Sequence, residues 1–284
     1  MRILTLLLAG SFLSAGHAQT QPDVTEIMQK VGQNVAKAEA RRREFVYTQK
    51  QTLRMIRSNG QIAREEHREY SVIPLPKKTK KTLVHFDGRY GVNGKFVSYD
   101  KPAYRYKGVD IDGELIDNLS DEVNAKGRRD GIDPDLFPLS LKLQRQYSYK
   151  LNGTETVRGH QVYRIHFEPL HKPHIDDVDD GAIWKGDALI DVEELQPVSV
   201  QTSMAYKIPA AVKILLGTNI TGMGYSITFE KFDDGVWFPV SCGGEFDVRG
   251  LFFYKRTMTV SLVNSDFRKQ DVNSSIAYTD DGKQ

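Results

Sequence analysis

Tyr225-Ser226-Ile227-Thr228-Phe229-Glu230 changes from apolar to polar at every step, and the chain keeps that rhythm from Tyr163 to Leu262. Tyr163, Ile165 and Phe167 alternate with Val162, Arg164 and His166. Val198, Val200, Met204 and Tyr206 alternate with Ser199, Gln201, Ser203 and Ala205. Tyr254, Met258, Val260 and Leu262 stand against Lys255, Thr257, Thr259 and Ser261. Period two belongs to extended strands, whose successive side chains point to opposite faces. One wet face and one buried face is the habit of antiparallel sheets.

Upstream, Val24, Ile27, Met28, Val31, Val35 and Ala38 recur at helical spacing. Asp23 precedes them as a cap, and Glu26 is placed to reach back. Arg41-Arg42-Arg43 then suits the negative end of the helix dipole. Strands are expected near 45–56 and 61–73, with Asn59-Gly60 as the hairpin turn between them. Short strands are expected near 83–86, 95–99 and 104–110, with turns at Asp87-Gly88 and Asn93-Gly94. The periodicity breaks down over 113–143, an irregular insertion in which Leu115, Leu119 and Val123 suggest a short helix. Beyond it, strands are expected near 146–151 and 155–167, turning at Asn152-Gly153, then near 183–192 and 198–206. A short helix is expected over 208–216. Strands near 223–232, 236–248 and 251–263 follow, turning at Asp234-Gly235 and Arg249-Gly250, and a loose tail runs over 267–284.

About twelve strands at roughly 4.8 Å spacing make a sheet near 55 Å wide, and one helix covers only about 10–12 Å of it. A flat sheet would leave its apolar face wet. The expected fold is therefore mainly β: a curled antiparallel half-barrel of about eleven to twelve strands, with the N-terminal helix and short helices as a lid.

Met1 and Arg2 lead into an apolar run that ends at Gly16-His17-Ala18, the pattern of a secretory signal cleaved after Ala18. The apolar run falls short of the roughly 20 residues that a membrane span needs. The expected organisation is a signal peptide over 1–18, one domain over 19–266 and the tail, in a periplasmic or secreted protein. A net charge of +2 argues against a general nucleic-acid binder. Cys242 is the only cysteine, so no internal disulfide can form. It shares the apolar phase of its strand with Val240 and Phe238 and reads as a buried thiol.

Ala188-Leu-Ile-Asp-Val-Glu-Glu-Leu-Gln-Pro-Val-Ser-Val200 resembles the strand–turn–strand signature of the LolA-like superfamily. Gly224-Tyr-Ser-Ile-Thr-Phe-Glu-Lys-Phe-Asp-Asp-Gly-Val-Trp-Phe-Pro239 is similar to the hairpin that follows it there, and the early amphipathic helix fits the same plan. The likeness is best from Gln146 to Val263, while 113–143 has no counterpart. That superfamily includes periplasmic lipoprotein carriers, RseB-type sensors and LppX-type lipid carriers. The resemblance implies an open half-barrel, an apolar concave face that takes acyl chains, and an arginine between barrel and lid, without singling out which arginine here.

Motifs of catalysis are missing: no P-loop, dinucleotide fingerprint, Gly-x-Ser-x-Gly or His-Glu-x-x-His occurs. His166, His171, His174, Asp176, Asp177, Asp179 and Asp180 crowd together, but their spacing fits no known metal loop and reads as a solvated acidic turn. Lys77, Lys78, Lys80 and Lys81 read as a solvated loop, with anionic headgroups as the alternative partner. Neighbouring carboxylates such as Glu65 and Glu66 point to opposite faces of a strand and cannot act on one substrate. No catalytic residue, metal site or cofactor is expected.

The expected function is an exported carrier or sensor that binds a lipid or lipoprotein acyl chain without catalysis. Its ligand face would be Tyr163, Ile165, Phe167, Trp184, Val200, Met204, Tyr225, Ile227, Phe229, Tyr254, Met258 and Val260. Trp184 is balanced between ligand anchor and core, while Trp237 leans to core beside an in-phase Phe238. Contact with a membrane surface or an envelope protein is a further expectation, and the sequence leaves the oligomeric state open. The alternative is an envelope interaction protein with a filled β core, working through its rim or edge strands.

Overall fold

The computed structural model describes residues 22–75, 79–124, 137–171, 184–206, 218–232, 234–250 and 254–270. Several expectations lie outside these residues: the signal peptide over 1–18, Lys77 and Lys78, the His174–Asp180 run, the helix over 208–216, and the tail beyond 270.

Helix α1 spans Val24–Arg42. Strands β1 (Phe45–Arg57), β2 (Ile62–Pro74), β3 (Thr79–Val92) and β4 (Lys95–Tyr99) follow, then helices α2 (Ile111–Val123) and α3 (Leu141–Gln144). Seven further strands complete the chain: β5 (Tyr147–Val157), β6 (His160–Pro169), β7 (Trp184–Asp191), β8 (Pro197–Met204), β9 (Thr218–Lys231), β10 (Trp237–Gly250) and β11 (Tyr254–Lys269). All eleven strands form one curled, open antiparallel sheet, ordered β4-β3-β2-β1-β11-β10-β9-β8-β7-β6-β5. Every pairing joins consecutive strands except β1 with β11, which brings the two ends of the chain together in mid-sheet.

Register is regular enough to trace single rows across the sheet. One row runs through Tyr149, Phe167, Gly186, Thr202, Tyr225, Gly244, Val260, Leu53, Glu66, Gly88 and Tyr99, one residue from each strand. Directly opposed residues share a face, so this row marks the inner side of the curl. The helices cover that side. Ile27, Met28 and Val31 of α1 and Ile116 of α2 join the main core with Ile165, Val200, Ile227 and Val260.

The start of α1 is as expected in part. Asp23 accepts a bond from the Thr25 amide at 2.8 Å, but Glu26 pairs with Lys30 one turn on instead of reaching back. The arginines at its end dock the helix. Arg42 donates to the Trp237 carbonyl at 3.0 Å and Arg41 to the Asp234 carbonyl at 2.7 Å.

Two turn readings and one strand reading are corrected. Asp87-Gly88 lies inside β3, where the glycine is needed because Tyr99 of β4 lies across it and a methyl group would run into that ring. Asn152-Gly153 also lies inside a strand, at a bulge in the β5–β6 pairing. The hairpin turns instead at Arg158-Gly159, whose φ angles of 52° and 82° are both positive, as a tight two-residue turn requires. Residues 104–110 form no strand. The expected irregular insertion holds the 13-residue helix α2, and β11 continues through Lys269 into the expected tail.

Candidate functional site

The inner face is one surface with two chemistries. From β5 to β11 its floor is hydrocarbon apart from the buried Thr202 and Asn264. Leu151, Ile165, Ala188, Val200, Ile227, Cys242 and Leu262 follow one another strand by strand. The row then continues onto β1, β2 and β3 as Gln51, Arg68 and Phe86. The parallel row through Met258 reaches Met55, Arg64 and Tyr90.

All twelve expected lining residues have the register of the inner face. Ile165, Phe167, Val200, Ile227, Phe229, Met258 and Val260 are buried in the main core, and Tyr163, Tyr225 and Tyr254 pack against it half-buried. Trp184 and Met204 oppose each other across β7–β8. The Trp184 ring meets Tyr225 edge-on at 5.2 Å, and Tyr225 meets Phe246 in the same way at 5.3 Å. Tyr254 does more than line the floor: its hydroxyl donates to Asp112 of α2 at 2.7 Å. None of the twelve borders the two clefts described below. Burial pushes the Cys242 thiol up to about 12, which leaves it protonated and unreactive at neutral pH.

Trp237 lies in the main core, but Phe238 does not share its surroundings. A bulge between Pro239 and Ser241 in the β9–β10 pairing shifts the phase by one residue. Trp237 therefore packs with the core, while Phe238 joins a separate aromatic cluster with Phe45, Phe232 and Phe267. The signature from Ala188 to Val200 has a local reason. Asp191 ends β7 and accepts the amides of Glu193 and Glu194 at 3.0 and 2.7 Å, which closes the turn into Pro197. Glu194 then accepts from the Trp237 indole at 2.8 Å, pairs with Lys231, and presents its carbonyl to Asn34 of α1 at 2.9 Å.

The polar half was not legible from hydrophobic periodicity. Glu66 is 0 % exposed and Arg64 is 1 % exposed, yet both lie on the inner face. The Tyr99 hydroxyl accepts from Arg64 Nε at 2.7 Å and donates to Glu66 Oε1 at 2.6 Å. Glu66 Oε2 accepts from Arg68 Nε at 2.9 Å. Burial and the Glu66 carboxylate raise the Tyr99 phenol well above its ordinary pKa, against the pull of Arg64. Glu65, on the other face, takes Arg54 at 2.5 Å and Arg89 at 2.7 Å. The two neighbouring glutamates do face opposite ways.

Helix α2 is tied to this half along its length. Asp110 at its head accepts from Arg64 Nη1 at 2.6 Å and from the Gly113 amide at 2.9 Å. Burial works against the Asp110 carboxylate, but the Tyr106 and Gly113 amides and Arg64 more than offset it and hold its pKa below the usual value. Asp112 takes both Nε and Nη2 of Arg256, at 2.8 and 3.2 Å. Asp117 accepts from Arg68 at 3.1 Å and from Arg105 at 2.5 Å, and Ser120 accepts from Arg68. Asn124, just past the helix, accepts from Gln51 and Lys81, each at 2.9 Å. Lys81 is thus a strand residue bonded to Gln49 and Asn124, not part of a solvated loop. The apolar share of the α2 contact is one fully buried side chain, Ile116, with Leu115, Leu119 and Val123 partly buried.

Two clefts flank the floor. One, of about 330 Å³, lies between the head of α2 and the β1–β2 and β3–β4 hairpins, with Arg57, Arg64, Tyr90, Tyr106, Asp110 and Asp112 in its wall. The other, of about 490 Å³, lies between α1, α3 and the edge strand β5, with Met28, Leu141 and Tyr147 in its wall. Among the described residues, no three His, Cys, Asp or Glu side chains converge to hold a metal, and no helix is long and apolar enough to cross a membrane. His166 bridges Asp187 and Glu168, each at 3.0 Å.

No family model and no curated protein matches the chain. Solved structures do. An outer membrane lipoprotein-sorting protein domain from Vibrio parahaemolyticus is 12 % identical, with 87 % of this chain and 95 % of that one covered and a TM-score of 0.38. A LolA superfamily protein from Nitrosomonas europaea is 10 % identical, with coverages of 89 % and 96 % and a TM-score of 0.35. The MucA/MucB complex of Pseudomonas aeruginosa matches at 11 % identity, with coverages of 86 % and 99 % and a TM-score of 0.26.

Proposed function

We propose that this chain is an exported carrier or sensor that takes a lipid or lipoprotein acyl chain onto its inner face, with no catalytic step. One observation carries the reading. A hydrocarbon floor runs on into a charged half of the same face, which is roofed by a helix held through ion pairs and hydrogen bonds, with Ile116 as its one fully buried apolar side chain. A cover that bonds through polar groups can exchange those partners for water when it lifts, whereas an apolar cover cannot. Helix α1, by contrast, buries Ile27, Met28 and Val31 and reads as a fixed wall. Delivery from such a carrier calls for contact with a membrane surface or an envelope protein. Residues 1–18 act in this reading as a cleaved export signal, and protein recovered from its own cell envelope should begin at Gln19.

The test uses Phe229→Asp and Met258→Asp. A charge in an apolar site costs several kcal/mol unless paired, about as much as a typical ligand gains on binding. Variants that stay folded and lose uptake of a fluorescent fatty acid support the carrier. A folded variant that binds like the parent overturns the assignment of this face.

A second reading rests on the depth of burial. Ile165, Val200 and Phe167 are packed as tightly as any core residue, while Phe96 and Val97 lie exposed on the edge strand β4. A filled core with a working rim fits that pattern, and unfolding of both aspartate variants favours it.

A further inference from the structure

The cleft at the head of α2 has two arginines and two aspartates in its wall, and they are unevenly paired. Arg57 and Arg256 stand directly opposite each other across the β1–β11 pairing. Like charges in that position repel. Arg64 enters the same cleft from β2. Arg64 is answered by Asp110 and by Glu66 beneath it, and Asp112 takes Arg256 through both of its oxygens. Arg57 makes no ion pair among the described residues, and its Nη2 donates to the Gly91 carbonyl at 2.7 Å. A half-buried guanidinium with donors left over, beside another cation and facing a cavity, is the setting that recognises an oxyanion. Tyr106 and Asn93 add polar groups to the wall. The volume of about 330 Å³ is at the small end for ligand pockets, which run from roughly 300 to 1,000 Å³.

The cleft lies near the apolar floor without bordering it. Met258, Met55 and Arg64 are consecutive members of one row, so the cleft wall lies two strand spacings, about 10 Å, from the floor residue Met258.

We propose that this cleft receives the oxyanion head, of the phosphate class, of an amphiphile whose chain lies on the floor, with Arg57 as the residue that selects it. This rests on the carrier reading above and adds a headgroup class to it.

The experiment compares a 1-acyl-glycerol 3-phosphate with the monoacylglycerol of the same chain, and inorganic phosphate alone, by calorimetry on the parent, Arg57→Gln and Arg57→Lys. Thermal melts verify that the variants fold. The parent should prefer the phosphate amphiphile by roughly 10- to 100-fold, the worth of one or two hydrogen bonds to a charged group. That preference should shrink to near unity in Arg57→Gln and return in part in Arg57→Lys. If both amphiphiles bind the parent equally, the headgroup site is wrong while the carrier survives. If phosphate binds through Arg57 but neither amphiphile does, the cleft is a free-anion site and both the headgroup and the carrier are overturned. If none of the three binds, both fall as well.

Discussion

Leu53 and Glu66 stand directly opposite each other on β1 and β2, both fully buried, and the inner face turns from hydrocarbon to ion pairs between them. Neither chemistry could be extended across that line cheaply. Leucine in place of Glu66 would strand Arg64 and Arg68 without their shared carboxylate. Glutamate in place of Leu53 would bury a charge with no partner in the floor.

Glu66→Gln should therefore destabilise the fold by about 3–5 kcal/mol, the usual cost of breaking a buried ion pair from one side. Glu65→Gln should cost less, about 1–2 kcal/mol: Glu65 is itself buried, but its partners Arg54 and Arg89 are half-exposed and water takes them over. Urea unfolding of the two variants checks the contrast, and equal losses would contradict the placement of Glu66.

Asp110→Asn combined with Asp117→Asn should loosen α2 while leaving the sheet intact. Hydrogen exchange should speed up across Ile111–Val123 with β9 to β11 still protected, and binding of a hydrophobic dye should rise as the floor is uncovered. Unchanged protection of α2 would mean that its apolar side holds it after all.

Glu194→Ala removes the acceptor of the buried Trp237 indole N–H and should cost roughly 1–3 kcal/mol. Glu194→Gln keeps an acceptor oxygen in place and should recover most of that loss. Thermal denaturation followed by tryptophan fluorescence separates the two.

His166 gives the stability a pH dependence. Burial disfavours its charged form, but Glu168 and Asp187 more than compensate and lift its pKa above the ordinary 6.5. A folded-state pKa above the unfolded one means that the stabilisation is fully present below about pH 6.5 and is lost as pH rises through the raised value. Stability measured at steps from pH 6 to 9 should fall over that window in the parent. The same fall in His166→Gln would assign it to another group.

The period-two runs between Tyr163 and Leu262 determined the strands and their inward side, because which face a side chain takes is a local property of extended backbone. The helical spacing from Val24 to Val35 determined a helix with one apolar stripe for the same reason. Local reading failed wherever a single extra residue changed the phase. Phe238 was assigned with Cys242, and the bulge after Pro239 separates them. Asp87-Gly88 and Asn152-Gly153 carry turn residues, but only the strand across from each shows that the chain runs straight on. The charged half of the inner face was hidden more deeply. Ala63-Arg64-Glu65-Glu66-His67-Arg68-Glu69 is polar on both faces, so hydrophobicity has no period there, although the spacing of Arg64, Glu66 and Arg68 by two was a trace of it. Their burial depends on Tyr99, on Asp110, Asp117 and Ser120, and on the β1–β2 register that sets Glu66 against Leu53. Charge pairing acts between segments distant in the chain, and so the floor was determined by the sequence alone while the latched cover above its charged side was decided by tertiary structure.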